Sequence, residues 1–290
     1  MIIVSLHGGL GNQMFQYALG RKLSLLKNVE MLLDLRWFDI QTKRQYQLNS
    51  FNIQAEIATK DDIEKILQTR KQRIIKKIEK KTGHKSLRRF SSIWIEDNSS
   101  KFDKKVFSCP KNILIKGYWQ SEKYFYDIKD QLKKDFTLRN GLSPNAQMIS
   151  TQMLSDPNSV SVHIRRGDYV DNSLGHYLLP IDYYQRAIKL LIEKHVVPSL
   201  YVFSDDIEWA RKNFDFYPVT TFLDSSKYLG DAEELILMSH CYHHVNANSS
   251  FSWWGAWLVE NAGSIITVPN HWFTEKDFPQ DRVPNRWYRL

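Results

Sequence analysis

The sequence predicts an α/β protein built from two parallel-sheet halves, and three observations carry that expectation. A strand–turn–helix–strand run opens the chain between Met1 and Asp34. A cleaner alternation of apolar strands and helices fills the chain after Val160. Between them, the stretch from Leu142 to Ser159, with Gly141 before it and Pro144 and Pro157 inside it, reads as a junction. The division is therefore expected at 150/151, as domains 1–150 and 151–290. Each half would be Rossmann-like, and the two would face each other across a cleft.

Taken in order, Met1 to Leu6 reads as a buried strand and His7-Gly8-Gly9-Leu10-Gly11-Asn12-Gln13 as a tight turn. Met14 to Leu26 reads as a helix and Met31 to Asp34 as a second strand. A helix is expected from Asp61 to Lys81, with Ile63, Leu67, Ile74, Ile75 and Ile78 on one face. Ile113 to Trp119 reads as strand and turn. Later strands are expected at 160–165, 200–203, 245–248 and 264–268, and helices at 181–194, 231–239 and 252–261. Such alternation implies parallel sheets with ligands at the C-terminal strand ends.

Four constellations sit at such ends. In His163-Ile164-Arg165-Arg166-Gly167-Asp168-Tyr169, a period-2 strand puts His163 and Arg165 on one face and Arg166 where the strand stops. Adjacent arginines there call for an anion or for carboxylates. A phosphate site and a structural ion pair with Asp168 are evenly matched, and Gly167, which allows close backbone approach, favours the site. Ser204-Asp205-Asp206 reads alone as a helix cap, through Ser204 or Asp205. In Asn246-Ala247-Asn248-Ser249-Ser250-Phe251, a strand runs into a helix start where hydroxyls and free N–H groups suit a phosphate. Trp253, Trp254 and Trp257 beyond it read as core. The turn through Gly9 and Gly11 is half of a dinucleotide fingerprint, with Asp34 ending the next strand, but Met14 stands where the third glycine belongs. The glycines would equally let a sugar approach the backbone, with Asn12 as a hydrogen-bonding group. His240-Cys241-Tyr242-His243-His244 is rejected as a zinc site, because its side chains diverge as helix passes to strand.

Composition narrows the class. The 290 residues are 42% hydrophobic and 25% charged, an ordinary balance for a folded chain. Aromatics reach 13%, with nine Trp, which suits the apolar faces of sugar rings. The net charge of +8 is concentrated: the segment from Lys65 to Arg89 holds 11 Lys/Arg and one acid, Glu79. That segment reads either as a basic amphipathic helix touching an anionic membrane or as a solvated helix packed on its domain. Two cysteines without a CxxC pair, and no transmembrane run or signal peptide, place the protein in the cytoplasm, with peripheral contact at the inner membrane face as the refinement.

Together these motifs resemble the family 11 α-1,2-fucosyltransferases of bacterial type. The resemblance rests on HGGLGNQMFQYALG from His7, GYWQSEKYF from Gly117, HIRRGDY from His163, SDD from Ser204 and NANSSFSWWGAWL from Asn246. It implies a GT-B-like fold and an inverting transfer of L-fucose from GDP-fucose to the 2-hydroxyl of galactose in a glycan acceptor, without metal or other cofactor. By the resemblance, Arg165 or Arg166 neutralises the pyrophosphate, with His163 on the same strand. Ser250 and Phe251, with Ser249 before them, contact phosphate, and Asp205 pairs with the guanine edge. Asn12 and the glycine turn lie by the fucose and the acceptor. Asp168 is expected to be the base, with His7 behind it. Two rivals remain. An NAD-type oxidoreductase would use the first turn and Asp34. A non-catalytic glycan- or nucleic-acid-binding protein would use the tryptophans and the basic segment. The first does not explain Arg165–Arg166 with Ser249–Ser250, both in the other half; the second does not explain why the sharp motifs sit at strand ends outside the basic segment, so no nucleic-acid partner is expected.

Overall fold

The computed structural model describes residues 1–67, 92–98, 101–170, 175–224, 230–258, 261–273 and 280–290. The chain divides into two compact units, Met1–Thr137 and Leu138–Leu290. Both are parallel-sheet α/β units of Rossmann-like pattern. The division falls 13 residues before the expected 150/151. The stretch taken as a junction is mostly a helix, Pro144–Ser155, begun by Ser143, whose hydroxyl accepts the Ala146 N–H, and by Pro144 in the first turn. Proline there starts a helix rather than breaking one.

The first unit runs β1 (Ile2–Ser5), α1 (Leu10–Lys27), β2 (Met31–Asp34), β3 (Glu56–Ile57), α2 (Lys60–Leu67), β4 (Ile93–Ile95), β5 (Ile113–Lys116) and α3 (Lys129–Asp135). Its sheet order is β3-β2-β1-β5-β4, all parallel. Helix α1 begins four residues earlier than expected, so Gly11 lies inside it and is not a turn residue. The close helix–sheet contact that a dinucleotide fingerprint gives to its third glycine falls here to Gly20. A Cβ on it would stand 2.3 Å from Val4 Cγ2. Buried Asp135 ties α3 to α1, accepting from Tyr17 Oη (2.7 Å) and Arg21 Nε (3.0 Å). Of the basic segment, only the start belongs to α2, where Ile63 and Ile66 are buried; from residue 68 it lies outside the described residues.

The second unit runs α4 (Pro144–Ser155), β6 (Ser159–Ile164), α5 (Ile181–Glu193), β7 (Ser199–Ser204), α6 (Ile207–Asn213), β8 (Thr220–Leu223), α7 (Asp231–Ser239), β9 (His243–Val245), α8 (Ser250–Leu258), β10 (Ile266–Val268) and β11 (Tyr288–Arg289). The order is β11-β10-β9-β6-β7-β8, again all parallel. Period-2 patterning in β6 does not separate core from solvent: all six residues are buried, Ser161 and His163 included. Helices cover both faces of a parallel sheet, so polar side chains on either face are inside. Trp253, Trp254 and Trp257 are core, as expected, and the Trp253 indole N–H donates to the Arg282 carbonyl at 2.9 Å.

In each sheet the first strand of the unit lies inside. In the first, β1 lies between β2 and β5; in the second, β6 lies between β7 and β9. In the second sheet the chain leaves β6 towards β7 and β9 towards β10, in opposite directions, which opens a crevice at their C-terminal ends; in the first, β1 and β5 end side by side. Those ends carry His7 and Gly117 in the first unit, and Arg165 and Asn246 in the second.

Candidate functional site

In the second unit, register alone brings two motifs together. The last β6–β7 pair is Ile164 with Ser204, so Arg165 emerges beside Asp205. Arg165 Nη1 meets Asp205 Oδ2 at 2.9 Å, and its Nη2 donates to Asp168 Oδ1 at 2.6 Å. The Arg166 backbone N–H donates to Asp205 Oδ1 at 2.8 Å, while its Nε meets Asp206 Oδ2 at 3.3 Å. The Arg166 guanidinium lies 3.8 Å from the centroid of the Trp209 ring, a cation–π contact that fixes its plane. Gly167 is required by proximity, since a Cβ there would sit 2.6 Å from Asp205 Oδ2.

These contacts bear on three sequence expectations. Asp206, not Ser204 or Asp205, caps α6, accepting the Trp209 N–H at 3.1 Å. Asp168, expected as the base, is paired with Arg165. The ion pair weighed against a phosphate site is present, and it leaves donors unspent. Only three of the ten guanidinium N–H donors on the two arginines are used in these pairs, and the side chains keep 22% and 16% of their exposure. Burial works against the charge on Arg165, but Asp205 and then Asp168 outweigh it and raise its pKa.

The loop after β9 completes this end of the sheet. Ser249 Oγ accepts the Phe251 N–H at 3.2 Å, so Ser249 caps α8 and Ser250 opens it. Asn248 Nδ2 donates to the Tyr177 and Trp272 carbonyls (2.7 and 3.0 Å), and Tyr169 Oη donates to the Asn248 carbonyl at 3.0 Å. His163 packs its ring 5.9 Å from Phe251, and burial, helped by Arg165, pushes its pKa down to about 3. Three buried polar atoms here, His163 Nδ1, Asn246 Nδ2 and Asn248 Oδ1, have no partner among the described residues. Glu234, in the first turn of α7, is a site residue that sequence reasoning missed. Burial, then Asp231 and Asp205, push its pKa up to about 7 against the pull of Arg165.

In the first unit the strand ends carry different chemistry. Gly8 (φ +80°), not Gly9, is the left-handed residue of the turn, and a Cβ on it would sit 2.6 Å from Asn12 Nδ2. Gly9 is extended and caps α1. Gln13 pins the turn, donating to the Gly8 and Gln45 carbonyls (3.0 and 2.8 Å) and accepting the Gln47 N–H (3.0 Å). Gln16 accepts the His7 backbone N–H at 3.0 Å and places its Nε2 3.1 Å from His7 Nδ1. Burial lowers the His7 pKa, a backbone hydrogen bond at Ser5 opposes, and Lys116 lowers it further, so the ring is neutral at pH 7. Between the β5 and β1 ends, Gln120 Nε2 donates to Asn12 Oδ1 at 2.6 Å. The Tyr118 and Trp119 N–H groups donate to Glu96 at 2.7 and 3.1 Å. Asp34 is engaged bidentately by Arg36 (2.8 and 2.9 Å), which takes up the carboxylate that a dinucleotide ribose would need. Among the described residues, no group of three His, Cys, Asp or Glu could hold a metal ion, and no helix is long and apolar enough to cross a membrane.

Residues 1–288 match the family model described as glycosyl transferase family 11. The chain is 35% identical over 299 residues to an alpha-1,2-colitosyltransferase of Escherichia coli, covering 100% of this chain and 99% of that protein. It is 31% identical over 290 residues to the O-antigen biosynthesis glycosyltransferase WbnK of Escherichia coli (92% and 93%). It is 27% identical over 182 residues to galactoside alpha-(1,2)-fucosyltransferase 1 of Bos taurus, spanning 57% of this chain and 48% of that protein. The solved structure of the fucosyltransferase NodZ from Bradyrhizobium superposes with a TM-score of 0.50 at 11% identity, over 89% of this chain and 92% of that one. At that identity the likeness bears on fold alone.

Proposed function

We propose that this chain, which belongs to glycosyl transferase family 11, is an inverting enzyme that moves L-fucose from GDP-fucose to the 2-hydroxyl of a galactose residue in a glycan. The observation that carries this reading is the meeting of Arg165, Arg166 and the α8 N-terminus at the switch point of the second sheet. Charge-assisted donors beside free helix N–H groups suit a diphosphate. Linkage is supported by the relatives whose names specify an alpha-1,2 product.

In this scheme the second unit binds the donor and the first binds the acceptor. The acceptor oxygen attacks the fucosyl anomeric carbon as the bond to the β-phosphate oxygen breaks, and that oxygen keeps the electron pair. Arg165 and Arg166 stabilise the charge gathering on the diphosphate, in the place a divalent cation would otherwise take. Asp168 and Asp205 orient Arg165, and Trp209 and Asp206 orient Arg166. Ser249, Ser250 and Phe251 present N–H and hydroxyl groups to phosphate. Each Asp205 oxygen spends one lone pair on Arg165 or Arg166 and keeps another, with which it accepts the N1–H and amino group of guanine. With Asp168 engaged, neutral His7 takes the acceptor proton. The sugar passes through an oxocarbenium-like state, as in glycoside hydrolysis.

A second donor has specific support, because the relative at 35% identity transfers colitose by name. Colitose is L-fucose without its 3-hydroxyl. Incubation with GDP-fucose or GDP-colitose and a panel of β-galactosides, followed by linkage analysis, separates the two. Transfer is expected to survive EDTA. Activity abolished by EDTA and restored by Mn²⁺ would overturn the role given to the arginines.

A further inference from the structure

The polar residues past β1 and β5 of the first unit stand beside a set of rings the reaction scheme leaves unused. The His7 ring makes an edge contact with Tyr118 (centroids 4.6 Å, interplanar 66°) and lies 6.2 Å from Trp37. Trp37 and His7 are half-buried and Tyr118 is 40% exposed, so neither large ring is committed to the core. Their placement follows from the backbone. Trp37 lies three residues beyond β2, in the loop beside β1. Tyr118 is turned out after β5 where Gly117 (φ +155°) leaves room, since a Cβ there would stand 2.4 Å from Glu96 Cβ. Next to them, the bond from Gln120 Nε2 to Asn12 Oδ1 leaves Asn12 Nδ2 as a donor and Gln120 Oε1 as an acceptor, neither with a partner among the described residues. Accessible rings beside a fixed donor–acceptor pair suit a sugar, whose ring offers C–H faces and hydroxyl edges.

We infer that Trp37 and Tyr118, with the Asn12–Gln120 amide pair, form the subsite that selects galactose as the acceptor. The axial 4-hydroxyl of galactose leaves the hydrogens on C3, C4 and C5 together on one face. That continuous apolar patch stacks on an aromatic ring. In glucose the C4 hydrogen points to the other face and the patch is broken. The adjacent 3- and 4-hydroxyls take the amide donor and acceptor, which leaves the 2-hydroxyl available near His7.

The inference rests on the galactoside-transfer reading, and two measurements keep their failures apart. Saturation-transfer NMR on the full chain, with methyl β-galactoside against methyl β-glucoside, reads the subsite without turnover. Steady-state transfer then gives acceptor and donor KM. Trp37→Ala and Tyr118→Ala are expected to raise the acceptor KM about tenfold or more, a loss of about 1.4 kcal/mol, and to erase the galactoside preference. GDP affinity, a property of the other unit, stays as in the wild type and serves as the check on folding. Trp37→Phe restores most of the acceptor KM, since it returns a ring. Galactoside binding without transfer would leave the subsite standing and overturn the reaction. Transfer by the wild type with an unchanged acceptor KM in both alanine variants would overturn the subsite and leave the reaction standing.

Discussion

The two sheets solve the same topological problem with opposite chemistry. In both, the unit's first strand lies inside the sheet, and both place a glycine against a polar side chain past that strand's C-terminal end, Gly8 on Asn12 and Gly167 on Asp205. The β1 and β5 ends of the first sheet are furnished with amides, a neutral histidine and half-exposed rings. The second is furnished with two guanidiniums and three carboxylates. Architecture thus fixes where a ligand can sit, and a few residues past the strand ends fix what kind it is. A neutral polyol suits the first set and a diphosphate suits the second.

The largest expected effect breaks the charged half. Arg165→Ala and Arg166→Ala should each lower kcat about 10²–10³-fold, the usual cost of removing one donor to a developing anion. Lysine should rescue poorly, because it lacks the planar fork that bridges Asp168 and Asp205 or stacks on Trp209. Near-normal turnover in both alanine variants would mean that the cluster is only a structural ion-pair network.

Next in size is base choice. Asp205→Asn keeps shape but replaces one acceptor by a donor, so the preference for GDP over UDP in competition binding should fall by about 1.5–3 kcal/mol. Asp206→Ala is the contrast, because Asp206 caps α6. It should cost about 1 kcal/mol of stability and leave the nucleotide ratio alone. If the ratio moved with Asp206 and not with Asp205, the two carboxylates would have to exchange roles.

What the sequence disclosed follows the same division. The arginines and the NANSS loop were legible because a strand pattern locates its own end, and charge there demands a partner. The pairing of Arg165 with Asp205 was not legible, because 40 positions and a register lie between them. Short strands such as Glu56–Ile57 and Tyr288–Arg289 are too brief to show a period. Glu234 passed for an ordinary acidic residue in a helix's first turn. Its raised pKa comes from burial, then from Asp231 on its own helix and Asp205 brought in by another element. Trp37 and Tyr118 lie in loops, where aromatic residues carry no pattern, and Gly8 was indistinguishable from Gly9 until their φ angles were known.

The two histidine and glutamate sites should respond to pH with opposite signs. In the unfolded chain Glu234 titrates near 4.5, and in the fold at about 7. Between those values the native state holds a proton that the unfolded state has released, so stability falls as pH rises, by roughly 1–3 kcal/mol across the window. His7 does the reverse: its pKa lies below 6.5 in the fold, so protonation favours the unfolded chain and stability is lost as pH falls below that value. Melting temperatures of Glu234→Gln and His7→Gln between pH 4.5 and 7.5 should each lose one of these slopes. Wild-type slopes retained in both variants would remove the contrast.

The smallest effect separates the two glycines of the first turn. Gly8→Ala places a Cβ at φ +80° and 2.6 Å from the Asn12 amide, and should cost about 1–2 kcal/mol. Gly9 has φ −75° and ψ 175°, which any residue adopts, and a Cβ on it would meet nothing nearer than Arg44 Nη1 at 3.9 Å. Gly9→Ala should therefore leave the melting temperature unchanged or raise it slightly, by about 0.4–1 kcal/mol, because alanine narrows the unfolded ensemble. If Gly9 is there to let the acceptor approach the backbone, that stable variant will still show a raised acceptor KM with an ordinary donor KM. A stable Gly9→Ala protein with an unchanged acceptor KM would move the contact surface away from Gly9 and onto the rings and amides beside it.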